Sequence, residues 1–156
     1  MKTNKQSVGS VKNNIVKRTQ FVLKTPPALP VKGLHGAVIG EVTNETGIEN
    51  DVEINRIRVP ISLAEKDAKG NNYVLDRLYN IGESGRGLNA LCQDYLAWSG
   101  IEVAKDELYS FDCNAAMKDK PVVVDVGYHV NGTKVTAVIK SFHPAGYTGP
   151  VPEVGA

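Results

Sequence analysis

The segment PVVVDVGYHV-NG-TKVTAVIKSF, residues Pro121–Phe142, indicates a mainly β protein. Two runs rich in valine, isoleucine and threonine flank the dipeptide Asn131–Gly132. An Asn-Gly pair between two such runs is the strongest short-range signal for a β-hairpin, because both turn residues take a positive φ. The alternation predicts one inward and one outward face. The inward residues are Val122, Val124, Val126, Val135, Ala137 and Ile139, and the outward ones are Asp125, His129, Lys134, Thr136 and Lys140.

Three further strands are predicted upstream of this hairpin. They occupy Gly36–Asn44, Glu53–Ser62 and Tyr73–Ile81. The second strand alternates apolar and basic residues, which places Ile57 and Val59 on one face and Arg56 and Arg58 on the other. Pro60 lacks a backbone N–H, so the end of this strand is predicted to be an edge or a bulge. One side of the third strand carries Tyr73, Arg77 and Tyr79.

The stretch YNIGESGRGLNAL, Tyr79–Leu91, leads from the third strand into a predicted helix. Its glycines are spaced G-x-x-G-x-G, which matches neither the dinucleotide fingerprint nor the Walker pattern of phosphate-binding loops. We interpret it as a turn followed by a helix that Ser84 caps and Gly100 ends. A short helical turn is predicted around Cys113–Met117. The apolar stripe of the main helix consists of Leu88, Leu91, Cys92, Tyr95 and Leu96.

The predicted order is therefore three strands, one helix and a two-stranded hairpin. Five strands with the helix between the third and the fourth is the order of an OB-fold, a mainly β, Greek-key barrel. A helix lying on an open antiparallel sheet has the same order of elements, and this alternative stays open. The predicted domain spans residues 25–145, between a basic arm at 1–24, interpreted as disordered, and a Pro/Gly-rich tail at 146–156.

Composition and charge narrow the classes of function. Hydrophobic residues make up 42% of the chain and charged ones 22%, as in ordinary soluble globular proteins. No apolar run approaches the roughly 20 residues of a membrane span, and the polar N-terminus does not resemble a secretory signal. Residues 1–24 carry six basic residues and no acid, which leaves 12 basic and 17 acidic residues in 25–156, a net charge of −5. A basic arm is a common device for contacting nucleic acid.

Several short motifs follow one another in a recognisable order. They are G-x-V at Gly36–Val38, YNIGESGRGLNAL at Tyr79–Leu91, KPVVVDV at Lys120–Val126, the Asn-Gly hairpin, and VIKSFHPA at Val138–Ala145. In this order the chain resembles the small OB-fold single-stranded-DNA-binding proteins that bacteriophages encode beside their replication and recombination genes. The likeness covers residues 34–145. The end of the chain, PVPEVGA, departs from the bacterial housekeeping proteins of this kind, whose acidic, aromatic-tipped tail recruits partners.

The resemblance implies a protein that coats and protects single-stranded DNA with little sequence preference. Its implied partners are single-stranded DNA and replication or recombination proteins, in the cytoplasm of a bacterial host. The lack of a long apolar run predicts no membrane partner, and exposed strand edges and flexible arms are compatible with a homo-oligomer. Single strands are bound by cations that follow the phosphates and by aromatic rings on which bases stack. The expected nucleic-acid-binding residues are Arg56, Arg58, Tyr73, Arg77, Tyr79, Arg86, Lys134 and Lys140. Arg86 enters this set because it lies at the positive end of the predicted helix.

Alternatives stay open at single residues and for the whole chain. Tyr73 and Tyr79 could instead pack in the core, as Phe142 and Trp98 are expected to do, because one face of a small barrel must be core. Two cysteines suit buried or half-buried thiols better than a disulfide framework or a metal cluster. The three histidines share no ligand spacing and no catalytic arrangement is visible, so we expect no enzyme, no metal and no cofactor. The alternative function is a non-enzymatic structural or interaction module of a phage or mobile element.

Overall fold

The computed structural model describes residues 28–82 and 85–150, which form a mainly β structure. Six strands are found there: β1 (Gly33–Ile39), β2 (Thr43–Glu49), β3 (Val52–Lys66), β4 (Asn72–Asn80), β5 (Pro121–Asn131) and β6 (Lys134–Pro144). The helices are α1 (Arg86–Ser99), a 3₁₀ helix (Lys105–Ser110) and α2 (Cys113–Met117). The predicted basic arm and residues 151–156 of the predicted tail lie outside the described residues. None of the described helices is long and apolar enough to cross a membrane.

All six strands belong to one antiparallel sheet. Its order is β2-β3-β1-β5-β6, and β4 pairs with the other edge of β3. The predicted number of five strands is therefore wrong. The predicted first strand, Gly36–Asn44, is divided: β1 ends at Ile39, Gly40 donates its N–H to the carbonyl of Pro60 at 2.8 Å, and β2 begins at Thr43.

The strand β3 is longer than predicted and continues to Lys66. Its register shows why Pro60 is tolerated in the middle of a strand. Arg58 pairs with Thr43 of β2 and Ile61 pairs with Ile39 of β1, so Pro60 lies where β3 changes partner along one edge. A residue without an N–H fits at such an interruption of the ladder.

The predicted hairpin is confirmed, with its turn shifted by one residue. Asn131 pairs with Lys134, so the two-residue loop is Gly132–Thr133, and Gly132 has a φ of 65°. The inward valines of β5 are buried as predicted, with Val124 fully inaccessible. Asp125, predicted to face outward, is also buried, at 6% exposure.

The core lies between the inner face of the sheet and α1. Four of the five predicted stripe residues of α1 are buried, but Leu96 is 43% exposed and does not belong to the core. Gly85 occupies the N-cap position with a φ of 73°, and Ser84, the predicted cap, lies outside the described residues. Gly100 ends α1 as predicted, and α2 has the predicted bounds. A Cβ at Gly87 would stand 1.9 Å from the Asn80 carbonyl oxygen, so glycine is required where α1 meets β4.

Candidate nucleic-acid interface

The ladder between β3 and β4 has two faces, and the predicted site residues are divided between them. Ile57 pairs with Tyr79, while Arg58 pairs with Leu78, so the tyrosine and the arginine point to opposite sides of the sheet. Tyr73, which alternates with Tyr79 along β4, lies on the same inner side, towards the core. The sequence correctly grouped the residues of each strand, but it combined two opposite faces into one binding surface.

Tyr79 is a core residue. Its exposed fraction is 3%, and its hydroxyl donates a hydrogen bond of 2.5 Å to Oδ2 of Asp94 on α1. Burial, followed by the negative charge of Asp94, raises the pKa of this phenol, so the hydroxyl stays protonated at neutral pH. A ring with this little exposed surface has no face on which a base could stack. The burial favours the packing alternative for Tyr79.

Arg77 joins the same inner arrangement at the margin of the core. Its Nε lies 3.3 Å from Oδ2 of Asp94, and its guanidinium carbon lies 5.1 Å from the centre of the Tyr79 ring. Asp94 therefore accepts from Tyr79 and pairs with Arg77 at once. This arrangement links α1 to β4, and it gives Arg77 a structural partner in place of a phosphate.

Arg56 and Arg58 lie on the outer face, where both contact Glu45 of β2. Arg56 Nε lies 2.7 Å from Glu45 Oε1, and Arg58 Nε lies 2.6 Å from Glu45 Oε2. Arg58 also reaches Asp76 of β4 at 2.6 Å, and Arg56 lies 3.8 Å from Glu49. Hydrogen bonds from Arg58 and then from Arg56 lower the pKa of Glu45 to about 2. Two guanidinium groups thus face three carboxylates of the same chain, and these carboxylates neutralise the predicted basic patch.

A second group of aromatic and basic residues surrounds the β5–β6 hairpin. We call it the hairpin surface, and it comprises Lys32, Tyr73, Tyr128, Lys134 and Lys140. Tyr128 is 38% exposed, its hydroxyl donates to the Pro30 carbonyl at 2.6 Å, and Lys32 Nζ lies 5.3 Å from the centre of its ring. Tyr73 is half-buried. Its pKa is raised by burial first and then by electrostatic interaction with Glu65, Asp67 and Tyr128.

The two predicted lysines of β6 lie on the outer side of the same hairpin. Lys134 is exposed and pairs with Asn131 beside the turn. Lys140 occupies a bulge in the ladder, and its stem lies against Gly127, where an added Cβ would be 2.4 Å from the lysine Cδ. Cations are therefore present on both sides of the hairpin. Along β5, Tyr128 lies between the buried end of the hairpin and the turn that joins β5 to β6.

Sequence reasoning missed Tyr128 and Lys32. Tyr128 continues the inward series that contains Val124 and Val126, but it lies past the end of the core, where an inward position is half-open. Counting this alternation two residues further would have identified it. Lys32 lies in the Pro-rich connector before β1, where no periodicity predicts a neighbour.

Arg86 begins α1 and lines a groove together with Asn55 and Asn80. A larger groove adjoins it, with a volume of about 790 Å³, between the β2–β3 hairpin and the 3₁₀ helix. Its walls include Ile48 and Tyr109, whose exposed fractions are 79% and 75%. This groove is open, with polar residues beside the two exposed apolar ones, and it shares no lining residue with the hairpin surface.

A polar pair on β6 brings a serine and a histidine together. Ser141 Oγ lies 2.8 Å from His143 Nε2, and Asp125 faces Ser141 across the ladder. The serine therefore lies between the carboxylate and the histidine, whereas a catalytic triad places the histidine in the middle. Across residues 28–82 and 85–150, no three His, Cys, Asp or Glu side chains come together as a metal site. The thiols of Cys92 and Cys113 are free, one buried and one half-buried, as expected.

Comparison with known proteins adds no assignment to this geometry. No family model matches the chain, and no curated protein matches it. Any function proposed for the outer face of the β3–β4 ladder, the hairpin surface or the grooves therefore depends on their own residues and contacts.

Proposed function

We propose that the protein binds single-stranded DNA with little sequence preference, and that it coats exposed strands during phage-type replication or recombination in a bacterial host. The hairpin surface carries this proposal. It combines a half-open Tyr128 ring, a lysine 5.3 Å from that ring, and two exposed lysines on the other side of the same hairpin. Stacking on aromatic rings and contacts with phosphates are what binding of a single strand requires, and neither reads base edges.

The connectivity of the sheet supports an OB-fold as part of this proposal. The strand β1 pairs with both β3 and β5, and α1 lies between β4 and β5 in the chain. In an OB-fold the surface of the second and third strands and the last hairpin bind oligonucleotides. If β1 and β2 together take the place of the first strand, these positions correspond to β3, β4 and the β5–β6 hairpin.

The net charge of the described domain does not exclude this role. The field that a phosphate meets is local. The carboxylates of Glu45 and Asp76 form their ion pairs with Arg56 and Arg58, and not with the lysines of the hairpin surface. The basic residues of the arm at 1–24 add cations in the same chain. A domain with a negative net charge can therefore still bind DNA weakly, and in a salt-sensitive way, through the lysines of the hairpin surface.

The test is fluorescence anisotropy of labelled oligo-dT with the full chain at about 50 mM and about 200 mM salt. We expect binding at the lower concentration that weakens steeply at the higher one, because displaced counterions contribute to the affinity. Absence of binding at about 50 mM salt would contradict the proposal and support the alternative below.

The alternative function is an interaction module, and the groove beside Tyr109 favours it. Ile48 and Tyr109 expose apolar side chains in this groove, which Glu53 also lines. Tyr109 lines a further groove as well, together with Asp112. Exposed apolar side chains with carboxylates beside them suit an apolar peptide that carries basic residues. Such binding would be abolished by Tyr109→Asp and left unchanged by Tyr128→Ala. For the DNA-binding role we expect the reverse: Tyr128→Ala weakens the binding of oligo-dT, and Tyr109→Asp leaves it unchanged.

A further inference from the structure

The strand β2 is an unusual member of the sheet. Six of its seven residues are exposed, and Glu45 is the half-buried one. It is the terminal strand of the sheet order, paired with β3. Beyond this ladder, polar side-chain contacts join it to β3: the Asn44 side chain donates to Asn55 and to the Arg56 carbonyl, and Glu45 pairs with the two arginines. A strand held in this way contributes little apolar burial and can separate from the sheet at low cost.

The carboxylate of Glu45 is bound as an anionic ligand would be. Oε1 accepts from Arg56 Nε at 2.7 Å and from Arg58 Nη2 at 3.2 Å, and Oε2 accepts from Arg58 Nε at 2.6 Å. The two non-bridging oxygens of a phosphodiester present the same pair of acceptors to guanidinium groups. The Arg56–Arg58 pair therefore has the geometry of a phosphate site that an internal carboxylate fills.

We propose that Glu45 is a built-in competitor for a DNA phosphate: it fills the site between Arg56 and Arg58 in the free protein, and a bound strand displaces it together with β2. This inference rests on the proposed DNA-binding function and adds a regulated second contact to the hairpin surface. It also explains why two arginines on the outer face of β3 are neutralised. The contact forms when a strand is already held at the hairpin surface, because the effective concentration of its phosphates is then high.

Reciprocity gives the inference two measurable consequences. If DNA and the Glu45 contact compete, removing the negative charge of Glu45 must tighten DNA binding, and binding DNA must loosen β2. We expect Glu45→Gln to tighten the dissociation constant for oligo-dT by about 5- to 20-fold, within the usual range of such couplings. Glutamine keeps the shape of the side chain and removes its charge.

The matched control is Glu41→Gln. Glu41 is exposed and lies two residues before β2, so this variant changes the net charge of the protein by the same amount without touching the arginine pair. We expect less than a twofold change in the dissociation constant for this control, about what an exposed charge in screened solution contributes. Equal effects of the two variants, or weaker binding by Glu45→Gln, would overturn the inference.

A second measurement uses the unmodified chain and does not depend on the folding of a variant. Hydrogen exchange of the peptide covering residues 43–49 is followed with and without saturating oligo-dT. We expect faster exchange in the presence of DNA, because the ladder between β2 and β3 opens. Unchanged or slower exchange in β2 would overturn the inference.

The outcomes separate this inference from the proposed function. If the unmodified chain binds oligo-dT and the two glutamine variants behave alike, the competitor role is wrong and the DNA-binding role stands. If Glu45→Gln alone binds, the competitor role is supported in its strongest form. If the unmodified chain and both variants fail to bind at about 50 mM salt, the DNA-binding role fails and this inference fails with it.

Discussion

The two faces of the β3–β4 ladder are built from alternate residues of the same strands and have opposite properties. The inner face carries Ile57 and Tyr79, which are buried against α1 and its Asp94. The outer face carries Arg56 and Arg58, which remain partly exposed in a network of charges. A shift of one residue along a strand thus changes a side chain from a part of the scaffold to a part of a candidate ligand surface.

The largest effect is expected from removing the inner tyrosine. Tyr79→Ala should lower the free energy of unfolding by about 3–5 kcal/mol, because it leaves a cavity and deprives Asp94 of its hydroxyl partner. Urea unfolding measures this change. Tyr79→Phe is the control that keeps the ring, and it should cost about 1–3 kcal/mol for the lost hydrogen bond to a charged group. If Tyr79→Ala keeps full stability and abolishes DNA binding, the inner face belongs to the binding surface and is not the scaffold.

The second effect concerns binding at the hairpin surface. Tyr128→Ala should weaken the binding of oligo-dT by about 1–3 kcal/mol, the usual contribution of one stacked base. Anisotropy titration measures it, and unfolding should be affected less than by Tyr79→Ala because Tyr128 is 38% exposed. Tyr109→Ala is the matched control, since Tyr109 is an exposed tyrosine of the other groove. A larger loss from Tyr109→Ala would move the binding surface to that groove.

The third prediction is a pH dependence on the outer face. The pKa of Glu45 is lowered from 4.5 to about 2 in the folded protein, so its ion pairs stabilise the fold above pH 4.5 and this contribution is lost as the pH falls from 4.5 towards about 2. The urea midpoint of the unmodified protein should therefore fall more steeply across this window than that of Glu45→Gln. Parallel curves for the two proteins would show that Glu45 is not held by the arginines in solution.

The smallest effect is expected at the edge of the sheet. Ile48 of β2 is 79% exposed, so Ile48→Thr should change the free energy of unfolding by less than about 0.5 kcal/mol. The same chemical change at Ile61, which is fully buried in β3, should cost several times more. Comparable losses at the two positions in urea unfolding would mean that β2 is covered in solution.

Elements that bury an apolar face were predicted from the sequence, whereas the strand β2, which buries none, was missed. The hairpin, α2 and most of the α1 stripe follow from local periodicity, turn residues and capping. The strand β2 has no buried apolar series, and its signal was the Asn50–Asp51 turn, where both residues have a positive φ of 54° and 63°. Such a pair of residues joins strands in two-residue hairpins.

The candidate site was predicted less well than the fold, for a reason of register. Periodicity groups Tyr73 with Tyr79, but the pairing of β4 with β3 decides which side of the sheet they face. The neutralisation of Arg58 depends on Glu45 and Asp76, which lie on two other strands and reach it through the tertiary fold. Side chains from separate strands leave no local pattern in the sequence.

The most direct test of the account is the salt dependence of oligo-dT binding by the unmodified chain and by the double variant Lys32→Gln, Lys134→Gln. The logarithm of the association constant should fall linearly with the logarithm of the salt concentration, and the double variant should flatten the slope by about 1.4, or about 0.7 for each phosphate contact removed. Lys105→Gln combined with Lys118→Gln is the control of equal charge, since both lysines are exposed outside the hairpin surface. No binding by the unmodified chain, or an equal slope for the two double variants, would contradict a DNA-binding hairpin surface.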